Sequence, residues 1–120
     1  MIKLVALLKR KPGMSRKEFN DRWLIEHTKL SSKLPNCLEY RINLCLEDQP
    51  AELGKEPPYD GTAELWWKDK ATMEASFESD LAKIAGQDAD QFCEIRTHLY
   101  TEEYFVVRDG QPVQPPEAAR

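Results

Sequence analysis

Cysteine is scarce in this chain, at three residues in 120: Cys37, Cys45 and Cys93. An odd number without CxxC or HxxxH spacing excludes a disulfide-stapled miniprotein and supplies no metal-ligand set, so reduced thiols in a cytoplasmic protein are expected. Long hydrophobic runs are missing as well. The run from Leu4 to Leu8 is too short for a signal-peptide core or a bilayer span, so neither export nor membrane insertion is expected. Only five glycines occur, and none falls in GxGxxG, GxxxxGK or GxSxG. A phosphate-cradling loop and a nucleophile elbow are thereby excluded. Positive charge is in deficit, with 17 Lys and Arg against 21 Asp and Glu. Such a surface repels phosphate, which argues against nucleic acid and anionic membranes as partners.

What remains is enough to fold. Apolar residues make up 41% and charged residues 32%, the composition of one globular domain. Residues 2–9 suit a buried strand. After Pro12-Gly13, Ser15 and Glu18 form a capping box that predicts a helix over 16–33, with Phe19, Trp23, His27, Leu30 and Leu34 as its apolar stripe. Residues 38–46 alternate and predict a second strand. A loop over 47–58 has a length at which loops often act as lids. Residues 59–67 predict a third strand, with Asp60, Thr62, Glu64 and Trp66 on one face and Gly61, Ala63, Leu65 and Trp67 on the other. Asp69 caps a second helix over 70–85, which Gly86 is expected to stop. Residues 96–107 predict a fourth strand. The proline-bearing tail, 109–120, is expected to be disordered beyond a single domain at 1–108.

The order βαββαβ has an economical solution: an α+β, ferredoxin-like subunit with a four-stranded antiparallel sheet and both helices on one face. Every strand carries apolar residues on both faces. An uncovered sheet face of that kind predicts a homodimer with two sheets facing each other.

Three residues stand out chemically. His27 lies on the apolar stripe of the first helix, where an imidazole either bonds quietly in the core or carries protons near neutral pH. Glu64 sits in a strand among tryptophans, where a carboxylate needs a partner or a raised pKa; it is expected to orient His27 or to act as a base itself. Tyr40 shares a face with Ile42 and Leu44 and is suited to donate to a substrate oxygen. Trp23, Trp66 and Thr62 are the expected substrate contacts. His98, on the last strand, is placed to meet His27 in space, although two histidines make no metal site.

The stretch MIKLVALLKRKPGMSRKEFNDRW, followed by His27, Leu34-Pro35, Tyr40 and the strand from Tyr59 through Asp60-Gly61-Thr62-Ala63-Glu64-Leu65-Trp66, resembles the EthD family of dimeric α+β barrel proteins. The resemblance implies a ferredoxin-like subunit, a barrel-type homodimer and a loose oxidoreductase label. Relatives include a cofactor-free methylmuconolactone methylisomerase of aromatic catabolism. There, a histidine, a tyrosine and a glutamate align with His27, Tyr40 and Glu64; Leu65 stands where that enzyme carries a cysteine. The expected function is a small cofactor-independent enzyme working by acid/base chemistry (isomerisation, elimination or lactone rearrangement) on a hydrophobic or aromatic-derived metabolite. The alternatives are a cofactor-free monooxygenase and a ligand-binding accessory module. No cofactor and no metal are called for by any motif.

Overall fold

The N-terminal apolar run forms β1 (Ile2–Arg10). In the computed structural model, which describes residues 1–49 and 56–119, this strand lies inside a sheet with β2 (Glu39–Leu44), β3 (Gly61–Trp67) and β4 (Cys93–Thr101). The order is β2-β3-β1-β4, and each neighbouring pair is antiparallel. This is the expected ferredoxin-like α+β arrangement. Residues 50–55, most of the loop expected to serve as a lid, lie outside the described residues.

The first helix starts where its capping box places it. The Ser15 hydroxyl accepts from the Glu18 amide, and the Glu18 carboxylate accepts from the Ser15 amide. α1 (Arg16–Asp21) then runs into a π-helical stretch, Arg22–His27, and closes as α2 (Thr28–Ser31). Bonding from i to i+5 winds fewer degrees per residue, so residues four apart stay in line. The buried stripe is accordingly Phe19, Trp23, His27 and Ser31, and the place expected for Leu30 goes to Ser31. The second helix departs from expectation in two ways. It divides into α3 (Lys70–Phe77) and α4 (Asp80–Ala89), each with its own side-chain cap, Asp69 and Ser79. It also continues past Gly86, because the burial of Ala85 and Ala89 against the sheet outweighs the roughly 1 kcal/mol cost of a mid-helix glycine.

Strand pairing decides which face meets the helices. Leu4, Ala6 and Leu8 of β1 stand beside Leu65, Ala63 and Gly61 of β3, and Ala6 also stands beside His98. These residues pack with Phe19, Trp23, Met73, Ala89 and Phe92 in the core. The opposite face carries Lys3, Val5, Leu7, Thr62, Glu64, Trp66 and Leu99. It holds Leu99 and Ile95 nearly half exposed, while Lys3 and Arg41 each lie 4.9 Å from the Trp66 ring.

The YDG segment is a structural anchor. Asp60 is almost fully buried and accepts from the Arg10 amide at 2.8 Å. Its carboxylate also pairs with the guanidinium groups of Arg10 and Arg16, which ties the end of β1 to the start of α1. Gly61 follows because nothing larger fits. A Cβ there would sit 2.5 Å from the Asn43 carbonyl oxygen and 2.6 Å from the Trp23 ring.

The tail corrects the expectation of disorder. Residues expected to end the fourth strand form β5 (Tyr104–Arg108), which pairs with β6 (Gln111–Ala118) in a separate hairpin. Asp109 and Gly110 both have positive φ, 51° and 76°. That matches the Asp-Gly two-residue turn whose twist suits a hairpin, and the prolines of β6 are tolerated because it is an edge strand. Among the described residues, no helix is long and apolar enough to cross a membrane.

Candidate active site

A cavity of about 120 Å³ opens between the helices and the inner sheet face. Small residues make the room: Ala82, Ala85, Gly86 and Ala89 of α4 face Ala6 and Ala63 of the sheet. Larger side chains in both layers would close it by ordinary interdigitation. Into this apolar space project His27, Ser31, Tyr40, Arg96 and His98.

His27 reaches the cavity from the π-helical stretch and is 8% exposed. Its Nδ1 is 2.8 Å from Asp88 Oδ2. Asp88 in turn accepts both arms of the Arg22 guanidinium, at 2.5 and 3.1 Å. Hydrogen bonding from Arg22 holds the Asp88 carboxyl below its ordinary pKa, so the carboxylate is an acceptor only. His27 Nδ1 therefore carries the proton, and Nε2 is the nitrogen left with a free lone pair. Beneath the pair lies Phe92, fully buried. Its ring meets His27 edge-on at 5.3 Å, and Arg22 sits 5.1 Å above it.

The electrostatics favour a neutral imidazole. Burial pushes the His27 pKa below 6.5; the Asp88 bond works against this, and the charges of Arg22 and Arg96 reinforce it. Tyr40 is pushed the other way. Burial raises its phenol above the ordinary value, although the Ser31 hydroxyl lies 3.1 Å from its oxygen. The cavity thus presents a neutral base and a protonated phenol, a pairing suited to removing a proton while donating to the oxygen that gains charge. His98 stands at the rim, stacked on Phe77 at 6.0 Å, and its pKa is lowered by burial and by Arg96.

Of the residues singled out from sequence, Trp23, His27, Tyr40 and His98 line this one cavity. Glu64, Thr62 and Trp66 do not join them. Register places Tyr40 beside Leu65 and Arg41 beside Glu64, so Tyr40 and Glu64 project from opposite faces of the sheet. On the outer face, Glu64 pairs with Lys3 at 2.9 Å. The expected partnership of Glu64 with His27 is corrected: Asp88 holds the imidazole. Asp88 was hidden in the sequence by the assumption that Gly86 ends its helix. Carried on two residues, the helix would have placed an acid opposite His27. Among the described residues, no group of three or more His, Cys, Asp or Glu is disposed to hold a metal. Burial pushes the Cys93 thiol up to about 12, which makes it a poor nucleophile.

A ferredoxin-like subunit with an open-mouthed apolar cavity, lined by a histidine that Asp88 holds by its Nδ1, defines the class of this protein. The chain belongs to the EthD family: the EthD domain matches residues 11–96. It is similar in fold to an ethyl tert-butyl ether D (EthD) family protein from Bacillus halodurans, with 22% identity, a TM-score of 0.71, and coverage of 86% of this chain and 98% of that one. A dimeric ferredoxin-like protein of unknown function from Thermobifida fusca aligns at 13% identity and TM-score 0.65, over 83% of this chain and 88% of that one. SnoaB of Streptomyces nogalater, a cofactor-independent oxygenase, aligns at 10% identity and TM-score 0.60, over 85% and 91%. No curated protein matches the sequence.

Proposed function

We propose that this protein is a small enzyme that moves protons on a hydrophobic or aromatic-derived metabolite, without a bound cofactor. The observation that carries the proposal is the tautomer-fixed His27, held by Asp88 in an apolar cavity that Tyr40 also lines. His27 Nε2 takes a proton from an acidic carbon or hydroxyl of the substrate. Tyr40 donates to the oxygen that becomes charged, and the conjugate imidazolium returns the proton at another position. Isomerisation, elimination and lactone rearrangement all share this cycle. Positioned proton transfer contributes roughly 10²–10⁴-fold to such reactions. Trp23 packs beside the reacting groups as a substrate contact. Thr62, Trp66 and Glu64 belong to the outer face. There, half-exposed apolar residues and the dimeric state of similar folds support a homodimer. Three free cysteines suit a cytoplasmic setting.

A second reading draws on the likeness to a cofactor-independent oxygenase. The same base would generate a phenolate or enolate that reacts directly with dioxygen. One experiment separates the two: a panel of cyclic ketones, lactones and phenols is incubated in D₂O with wild-type protein and with His27→Ala, followed by NMR for deuterium at carbon and by an oxygen electrode. Exchange that depends on His27 without oxygen uptake supports proton transfer, and His27-dependent uptake supports oxygenation. Exchange that survives His27→Ala would refute the role given to the imidazole.

A further inference from the structure

The polar lining of the cavity is one-sided. Its polar side chains include His27, Ser31, Tyr40, Arg96 and His98; among the described residues that line it, none is a carboxylate. In a chain with net charge −4, this is a local reversal of sign. Both histidines are held toward their neutral forms, His27 in the buried interior and His98 at the solvent-exposed rim. Arg96 is therefore the permanent charge of the cavity, and its field acts on His27 and on His98 alike.

Arg96 lies across Gly86 of α4. Its terminal nitrogens are 3.9 and 4.0 Å from where a Cβ of that glycine would be, so no side chain stands between the guanidinium and the helix. Its partner is Asp90, at 2.8 Å, an acid whose side chain is 66% exposed. Ion pairs of that exposure contribute about 0–1 kcal/mol, so the guanidinium is readily given up to a better acceptor. Its planar fork matches a carboxylate. The cavity volume of about 120 Å³ is near that of an apolar cavity of about 150 Å³ known to hold benzene.

Resting on the reading of this cavity as a substrate site, we propose that it takes an anionic single-ring compound, with the carboxylate on Arg96 and the ring among Ala6, Leu8 and Ala85, the lining residues that register and α4 bring beside that guanidinium. The anion fixes the ring at the rim end, and the atom that loses its proton lies toward His27. The class of substrate is thus a cyclic or aromatic carboxylate, and Arg96 is a specificity-determining residue.

Benzoate, benzamide and benzyl alcohol are the probes, titrated by NMR into uniformly ¹⁵N-labelled protein, with the Trp23 indole and the His27 ring as reporters. Benzoate is expected to bind at least tenfold more tightly than either neutral ring. Arg96→Gln should bring benzoate to the level of benzamide and leave benzamide unchanged. Asp90→Asn, a surface change that releases the guanidinium, should tighten benzoate severalfold. Equal affinities for benzoate and benzamide in the wild-type protein would overturn the anion proposal while leaving the cavity as a ring site. The same holds if benzoate affinity is untouched by Arg96→Gln. If none of the three probes moves the Trp23 and His27 signals, the cavity reading falls with it.

Discussion

Gly61→Ala puts a number on the packing that holds the candidate site. The added Cβ would stand 2.5 Å from the Asn43 carbonyl oxygen and 2.6 Å from the Trp23 ring. Both approaches are far inside van der Waals contact. The first is to backbone in the neighbouring strand, so no rotamer change relieves it. The second is to a buried tryptophan, 1% exposed, that cannot swing away without emptying the core. Overpacking of this kind costs about 3 kcal/mol, the upper part of its usual range. For 120 residues the entropy of unfolding is about 0.25 kcal/mol/K, so the melting temperature should fall by about 12 °C. Calorimetry or circular dichroism at one fixed protein concentration reads the shift; the concentration must be held because association would move the midpoint as well. Gly13→Ala is the control. That glycine has φ +83° but no described residue within 4 Å of the added atom, so only the conformational cost of about 1 kcal/mol applies, or about 4 °C. If Gly61→Ala melts no lower than Gly13→Ala, the close approach of Trp23 to β3 is not what fixes the helix on the sheet.

Asp88→Asn should remove the attraction that raises the His27 pKa and leave Arg22 unpaired, so any His27-dependent activity should decline and its acid limb should move to lower pH. A pH profile of kcat/KM measures both, and an unmoved limb would refute the coupling. In the wild-type protein the acid limb itself should lie below pH 6.5. The unfolded chain binds the His27 proton at about 6.5, whereas burial holds the folded pKa lower. The stabilisation from neutral His27 is thus complete above that pH and is lost as the pH falls through the folded pKa, which acid-range denaturant titrations would show. Asp60→Asn should cost about 3 kcal/mol, because a nearly fully buried charge is removed, leaving Arg16 without its carboxylate and Arg10 with only the exposed Glu56; urea unfolding tests this. Leu99→Glu on the outer sheet face should shift sedimentation toward a single subunit without changing helix content; an unchanged profile would place the subunit contact elsewhere.

Local chemistry was readable in the sequence wherever a few adjacent residues decide it. The Ser15–Glu18 box, the Asp69 cap and the alternation along β3 all follow from short-range hydrogen bonding and strand parity, and all are found. Which face of β3 meets the helices is a different kind of fact. Each face carries a tryptophan, so parity could not say whether Glu64 or Leu65 looks inward; pairing with β1 settles it. Tyr40, on a strand with one plainly apolar face, was placed correctly for that reason. The Arg22–Asp88–His27 chain was not legible, since it spans 61 residues from Asp88 to the histidine and hangs on a helix running through a glycine. The hairpin at the end was masked by its prolines, although Asp109-Gly110 carried the turn signal throughout.

The widened turns of the first helix have a consequence for its tolerance of change in length. Residues 19, 23, 27 and 31 stay aligned only because the stretch between 22 and 27 is underwound. Deleting one residue there would let the segment relax to ordinary pitch and still keep the stripe: His27 would follow Phe19 by seven residues, which at about 100° each falls within about 20° of two full turns. Adding one residue to the widened stretch is the damaging change, since it turns everything beyond it. The imidazole would then swing off Asp88 while Phe19, upstream, kept its seat in the core.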